Sequence, residues 1–198
     1  NFYQKNKKNI THYGMKIEDN IINEIFNKLL KKSNYKKRYL KIKKFNLNNN
    51  YLKKGISITP VKFGISFTTI HLNQAGALVH IYTDGSVNLN HGGIEMGQGT
   101  NTKIAQLVAN ELGLPFKKIK ITSTNTSKVP NTSASAASST TDLNGAAALD
   151  AVSKIKKNLE KFINKKYNFK NKKIIYENSL VKFNNKSFKF ESIIKDAY

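Results

Sequence analysis

Hydrophobic and polar positions change period several times along the chain. In "KIEDNIINEIFNKLL" (16–30), Ile17, Ile21, Ile25 and Leu29 fall on one stripe, joined by Ile22, Phe26 and Leu30, and the first turn is acidic. That spacing predicts an amphipathic helix with charge placed as the helix dipole favours. Tyr39, Ile42 and Phe45 then recur every three residues, a mixed pattern that allows a second helix stopped by the Asn cluster at 48–50. From Ile56, "ISITPVKFGISFTTI" reads as strand. "AGALVHIYTDGSVNLNHGG" (75–93) reads as two strands about Asp84–Gly85, a dipeptide suited to a type I′ hairpin turn.

Downstream, "TNTKIAQLVANELG" (100–113) spaces Ile104, Leu107, Val108, Glu111 and Leu112 for a helix, with Gly113 as its cap and Pro115 beyond. "KIKIT" (118–122) is predicted as a strand. A helix is predicted from Asp142 to about Asn164, then a hairpin around Asn184–Asn185 and a short last helix. Strands and helices in this mixture predict an α+β fold without internal repeats. Composition divides the chain into a basic, mainly helical lead-in (1–54), a near-neutral middle (55–153) and a basic C-terminal segment (154–198).

The net charge of +22 sits in the flanks: residues 1–54 carry 15 basic and 3 acidic side chains, and 154–198 carry 13 and 4. Of 34 basic residues only Arg38 is an arginine. Base readout and phosphate clamping usually recruit the planar arginine fork, so a Lys-rich nucleic-acid-binding module is the alternative, not the expectation. Thirty-three lysines with 26 asparagines fit compositional drift at tolerant surface positions better. No apolar run approaches the ~20 residues of a membrane span. The absence of cysteine excludes disulfides, iron–sulfur clusters and thiolate zinc within the chain, and fits a reducing, cytoplasmic compartment. Beginning in mid-polar sequence, the chain reads as a segment of a longer polypeptide.

Two stretches stand out chemically. "HGGIEMGQGT" packs four glycines into residues 92–99, between a predicted strand and a predicted helix. "MGQG" there predicts free backbone N–H groups at a helix N-terminus, able to receive an anion or polar heteroatom, with Gly97 and Gly99 permitting close approach and Gln98 offering donor and acceptor. It matches neither a Walker A loop nor a dinucleotide fingerprint, and a bare strand–helix turn is the competing explanation. Glu95 is expected to anchor this loop rather than act as a base. The second stretch, "STNTSKVPNTSASAASSTTDLNG" (123–145), is small and hydroxylated: either linker, or a smooth wall at Ala136–Ala137 flanked by Ser138 and Thr140. His12, His71, His80 and His91 have no metal-ligand spacing, and no Ser–His–Asp set emerges.

"TPVKFGISFTTIHLNQAGALVHIYTDGSVNLNHGGIEMGQG", "TNTKIAQLVANELG" and "KVPNTSASAASSTTDLNG" together, in this order and at these separations, closely resemble the molybdopterin-binding portion of the xanthine dehydrogenase family of molybdenum hydroxylases. The resemblance is dense over 51–152 and thinner on either side, through "THYGMKIEDNIINEIF" and "FESIIKDAY". It implies cofactor contacts at Met96, Gly97, Gln98, Ser138 and Thr140, and a purine pocket built by Phe67, Thr68, Ala136 and Ala137, with the Ala137 backbone near molybdenum. "TSASAASS" looks like the xanthine dehydrogenase form, since aldehyde oxidases tend to carry Gly-Gly at 136–137. The implied reaction hydroxylates hypoxanthine or xanthine toward urate with oxygen from water. The implied partners are an FAD- and [2Fe-2S]-bearing domain or subunit and a second copy in a dimer or larger oligomer. The family's base glutamate falls outside these residues, so the segment alone is expected to be inactive. A degenerate relative without activity is the other alternative.

Overall fold

The alternation on either side of Asp84–Gly85 folds back on itself as β1 (Ala77–Ile81) and β2 (Val87–His91), antiparallel, with Val79 opposite Leu89 and Ile81 opposite Val87 on the buried face. The turn differs from the type I′ expectation. Only Gly85 has positive φ, at 75°, and Tyr82 N–H donates to the Ser86 carbonyl across a three-residue loop. Asp84 is held at ordinary φ because its carboxylate accepts from the Ser86 backbone N–H (2.9 Å) and hydroxyl (2.6 Å), which leaves the left-handed position to glycine alone. Those same bonds lower the Asp84 pKa.

From β2 the chain passes through the glycine loop into α3 (Thr100–Leu112), then into β3 (Ile119–Ile121), which pairs parallel with β2. Helix α3 buries Ile104, Ala105, Val108 and Leu112. Helix α4 (Thr140–Lys166) buries Ala148, Val152, Leu159 and Ile163 in the same core. Gly145 lets the two helices close up: a Cβ there would lie 2.8 Å from a Leu107 methyl. Glu111 of α3 accepts a hydrogen bond from Lys156 of α4 at 2.6 Å.

The computed structural model describes residues 2–61, 63–65, 67, 69–128, 131–169 and 173–198. They divide into two units, Asn1–Phe63 and Gly64–Tyr198. The elements above belong to the second. That unit also holds an antiparallel sheet of β4 (Ile175–Glu177), β5 (Leu180–Phe183) and β6 (Lys186–Lys189), followed by α5 (Phe190–Ala197). The hairpin at Asn184–Asn185 is present, both residues having positive φ as a type I′ turn requires. Strand β4 is not evident from pattern; it is three residues long and buries only Tyr176.

In the first unit, α1 (Ile22–Lys32) and α2 (Tyr35–Leu47) form, and neither helix buries a side chain. Helix α1 starts later than the pattern over 16–30 predicts, because Lys16 and Ile17 pair with Ile10 and Asn9 instead, leaving Glu18 and Asp19 outside it. Residues 56–70 overturn the strand expectation: the described ones form no strand. Phe63, Ile65 and Phe67 are 67%, 61% and 42% exposed, so their alternation faces no sheet partner. No helix among the described residues is long and apolar enough to cross a membrane.

Gly113 joins the end of α3 to the sheet of β4, β5 and β6. It closes α3 at φ 64°, its carbonyl accepts from Ser179 N–H at 2.7 Å, and a Cβ would sit 2.4 Å from backbone atoms of Tyr176 and Glu177. Gly113→Ala is therefore expected to cost more than the ~1–2 kcal/mol of a left-handed alanine alone, because backbone must also move. Chemical denaturation of the variant checks this, and a cost under ~1 kcal/mol would contradict the close approach.

Candidate functional site

At the end of β2 the backbone is crowded by its own protein. A Cβ on Gly92 would lie 2.1 Å from the Thr132 methyl, and one on Gly93 would lie 2.8 Å from the Thr140 methyl. Asn144, 2% exposed on α4, accepts from Gly92 N–H (3.2 Å) and donates to the Thr140 carbonyl (3.0 Å). Thr124, just after β3, donates its hydroxyl to the carbonyls of His91 (3.1 Å) and Gly93 (3.0 Å). His91 is 1% exposed; its Nδ1 accepts from Gly93 N–H at 3.1 Å, and its Nε2 has no hydrogen-bond partner. Burial lowers its pKa below the ordinary imidazole value, against the opposing pull of the neighbouring Asn101 side chain and the Glu95 charge. His91 is thus a neutral, buried histidine at neutral pH.

The loop beyond does not present the open row of donors expected from "MGQG". Glu95 Oε1 accepts from the N–H groups of Gly97 and Gly99, and Oε2 from that of Asn101, each at 2.9 Å. These backbone bonds, Asn101 first and Gly99 next, hold the Glu95 pKa below the usual carboxylate range. Gln98 folds inward as well: its carbonyl accepts from Met96 N–H (2.6 Å) and its amide donates to the Ile94 carbonyl (2.7 Å). A carboxylate from the loop itself thus neutralises the start of α3. Met96, Gly97 and Gln98 remain exposed, and a Cβ on Gly97 would meet nothing within 4 Å. Close approach by the protein is at Gly92 and Gly93; Gly97 instead leaves its backbone uncovered.

The small-residue run lies against this loop. Ser135 Oγ accepts from Ile94 N–H at 2.8 Å, 41 positions away in sequence. Ser133 donates to the Leu72 carbonyl and accepts from Gln74 N–H at 2.8 Å, and Thr132 donates to the Gln74 carbonyl at 3.1 Å. Asn73 reaches back to the Phe67 carbonyl at 3.0 Å. Hydrogen bonds therefore link the segments carrying Phe67, the glycine loop and Ala136–Ser138. Phe67 is a part-exposed ring outside the core, and Thr68 lies outside the described residues. Ala136, Ala137 and Ser138 are exposed, whereas Thr140 is buried under Gly93 as the first residue of α4. Ala137 and Ser138 both have positive φ, 51° and 56°, inside a turn closed from Ser139 N–H to the Ala136 carbonyl.

Between the glycine loop and residues 123–126 and 131–132 runs a groove of about 760 Å³. Its walls are neutral hydroxyls and amides, among them Asn101, Ser123, Thr124, Asn125 and Thr126, with Glu95 as the one carboxylate. Thr100 Oγ1, fully buried where α3 begins, has no partner. Such a surface, with Ile94 beside the hydroxyls and amides, suits a polar, heteroatom-rich ligand. No cluster of three or more His, Cys, Asp or Glu that could hold a metal ion occurs among the described residues. Sequence reasoning missed Asn144, Thr124, Asn101 and His91, whose partners are set by packing. Ser135 lay inside the run singled out as small and hydroxylated, without a role of its own.

The fold is that of an α+β domain, and the chain belongs to the molybdopterin cofactor-binding domain family, whose sequence profile matches residues 28–198. Within that family its sequence is similar to the corresponding region of xanthine dehydrogenases. It is 47% identical over 168 residues to xanthine dehydrogenase of Dictyostelium discoideum, covering 85% of this chain and 12% of that protein. It is 49% identical over 156 residues to xanthine dehydrogenase/oxidase of Mus musculus, covering 79% and 12%. Among solved structures, quinoline 2-oxidoreductase from Pseudomonas putida 86 superposes over 94% of this chain and 25% of its own with a TM-score of 0.75; at 20% identity it shares the fold. CO dehydrogenase from Oligotropha carboxidovorans matches 64% of this chain and 16% of its own, with a TM-score of 0.58 and 26% identity. The chain spans about 12% of the length of the curated relatives quoted.

The left-handed pair at 137–138 makes a local prediction. Ala136→Gly and Ala137→Gly both add freedom to the unfolded chain, but only the second relieves a left-handed alanine. Ala137→Gly should be more stable than Ala136→Gly by about 1 kcal/mol. Paired melting curves decide it; equal stability would contradict the turn geometry.

Proposed function

We propose that this chain is part of the molybdenum-cofactor-binding portion of a xanthine-dehydrogenase-type oxidoreductase, whose complete form hydroxylates hypoxanthine and xanthine toward urate with water as oxygen source. One observation carries this: identity near 50% to xanthine dehydrogenases spans the three segments that hydrogen bonds draw into one cluster, around Phe67, Met96–Gln98 and Ala136–Ser138. The neutral donors of the groove and the uncovered Gly97 backbone fit a pterin carrying a phosphate.

In this reading Met96, Gly97 and Gln98 lie along the cofactor, Gln98 with the amide hydrogen its loop bond does not use. Ser138 offers a hydroxyl from the facing turn, and Thr140 supports that face from beneath Gly93. The small side chains of Ala136 and Ala137 leave room for the substrate, with the Ala137 backbone toward molybdenum. The Phe67 ring packs on the flat purine beside Thr68, where stacking contributes about 0.5–1.5 kcal/mol and fixes orientation. When bound, the cofactor would supply oxygen-transfer and two-electron redox chemistry, with the [2Fe-2S] and FAD groups expected elsewhere in the enzyme. The proton-abstracting glutamate belongs to another part of the enzyme, so this segment holds and orients but does not turn over. The exposed apolar stripe of Ile21, Ile25 and Leu29 suits burial against the remainder of such an enzyme, which we expect to be a cytoplasmic dimer or larger oligomer.

In the full-length enzyme, Gln98→Ala removes both inward loop bonds and a cofactor contact. At ~0.5–1.5 kcal/mol per bond, molybdopterin occupancy should fall at least several-fold; full metal loading by elemental analysis would return the loop to a plain turn. Phe67→Leu tests the substrate directly. Purine turnover should fall about tenfold with molybdenum content and melting temperature nearly unchanged, because the ring lies outside the core. Unchanged steady-state kinetics on xanthine would remove Phe67 from the pocket.

A further inference from the structure

We infer that Glu95 is a positioning residue that sets the shape of the pterin-facing loop without touching the cofactor, an inference that rests on the reading of this loop as a molybdopterin cradle. Its two oxygens are spent on three backbone donors, Gly97 and Gly99 through Oε1 and Asn101 through Oε2. Those donors bracket Gln98 and extend into the first turn of α3, so one side chain fixes both the loop and its junction with the helix. The loop's other end is pinned separately by Ser135 on Ile94 N–H. Lys103, the nearby cation, donates to the Gln98 carbonyl at 3.0 Å rather than bonding to Glu95, which leaves the carboxylate to the backbone.

This arrangement needs a carboxylate. A glutamine at 95 keeps one acceptor oxygen and gains an NH2 group, so either Asn101 N–H or the Gly97 and Gly99 pair would face a donor. Protonation of Glu95 makes the same mismatch. Because its bonds hold its pKa below the ordinary carboxylate value, the clasp is fully present at neutral pH and is lost only as pH falls through that lowered value.

The test uses the full-length holoenzyme and Glu95→Gln, with molybdenum and pterin content, amide hydrogen exchange, a melting curve and turnover per bound molybdenum. The account expects cofactor content to fall to about a third or less. Amides 96–101 should exchange at least tenfold faster while those of α4 do not change, and turnover per bound molybdenum should stay near wild type. Wild-type cofactor content with unchanged exchange would overturn it, as would full content with reduced turnover per molybdenum, which would put Glu95 in the chemistry. Should the variant not fold, exchange in the wild type decides: protection of Gly97 and Gly99 at neutral pH, lost below the usual carboxylate range, supports the clasp, and absence of protection at pH 7 overturns it. A wild-type enzyme whose pterin lies away from this loop would sink the cradle itself, whereas pterin at the loop with normal retention in Glu95→Gln would sink only the role of Glu95.

Discussion

Space above Gly92 and Gly93 is filled by the methyl groups of Thr132 and Thr140, at distances no Cβ would tolerate. That contact sets where the strand must end, where α4 must begin and how close the small-residue run lies to the glycine loop. Asn144 secures the junction from the core side and Thr124 from the end of β3, each bonding backbone groups where β2 meets the glycine loop and α4 begins. On this foundation Glu95 and Gln98 fold the exposed part of the loop, and Ser135 fastens it to the facing segment. A rigid base under a short, uncovered stretch of backbone is what a site for a large polar cofactor requires.

Much of the fold was legible because its elements are amphipathic and sharply bounded. Helix α3 begins after Gly99, ends at Gly113 and keeps its apolar face at Ile104, Val108 and Leu112. The Asn184–Asn185 turn announced itself by residue type, as did the Asp84–Gly85 hairpin, though Asp84 bonding to Ser86 selected a different turn there. Residues 56–70 misled because alternation records which side chains lie on one face, not whether a partner strand exists. β4 was invisible because three residues with one buried tyrosine carry too little pattern.

At the candidate site, residue types singled out segments that hydrogen bonds bring together, while the partners came only with the fold. Four glycines within eight residues suggested close approach, and the structure divides that role between Gly92 and Gly93, crowded from within, and Gly97, open on its outer side. The donors at the start of α3 seemed free in sequence, and the anchoring role expected of Glu95 is what occupies them: its carboxylate accepts from the N–H groups of Gly97, Gly99 and Asn101. Charge was the least informative signal. The four ion pairs found among the described residues all lie in the second unit, and α2 carries its lysines on a helix without a buried face. This fits a solvated basic surface better than a built anion site.

The clasped glycine loop and the Ala136–Ser138 turn are proposed to hold molybdopterin together. An experimental structure of the intact protein purified with its cofactor tests it most directly. The account predicts pterin density along the uncovered face of Met96–Gln98, within hydrogen-bonding distance of that backbone and of Ser138, with Glu95 still bonded to Gly97, Gly99 and Asn101. A pterin seated elsewhere, with these residues touching only protein, would contradict it.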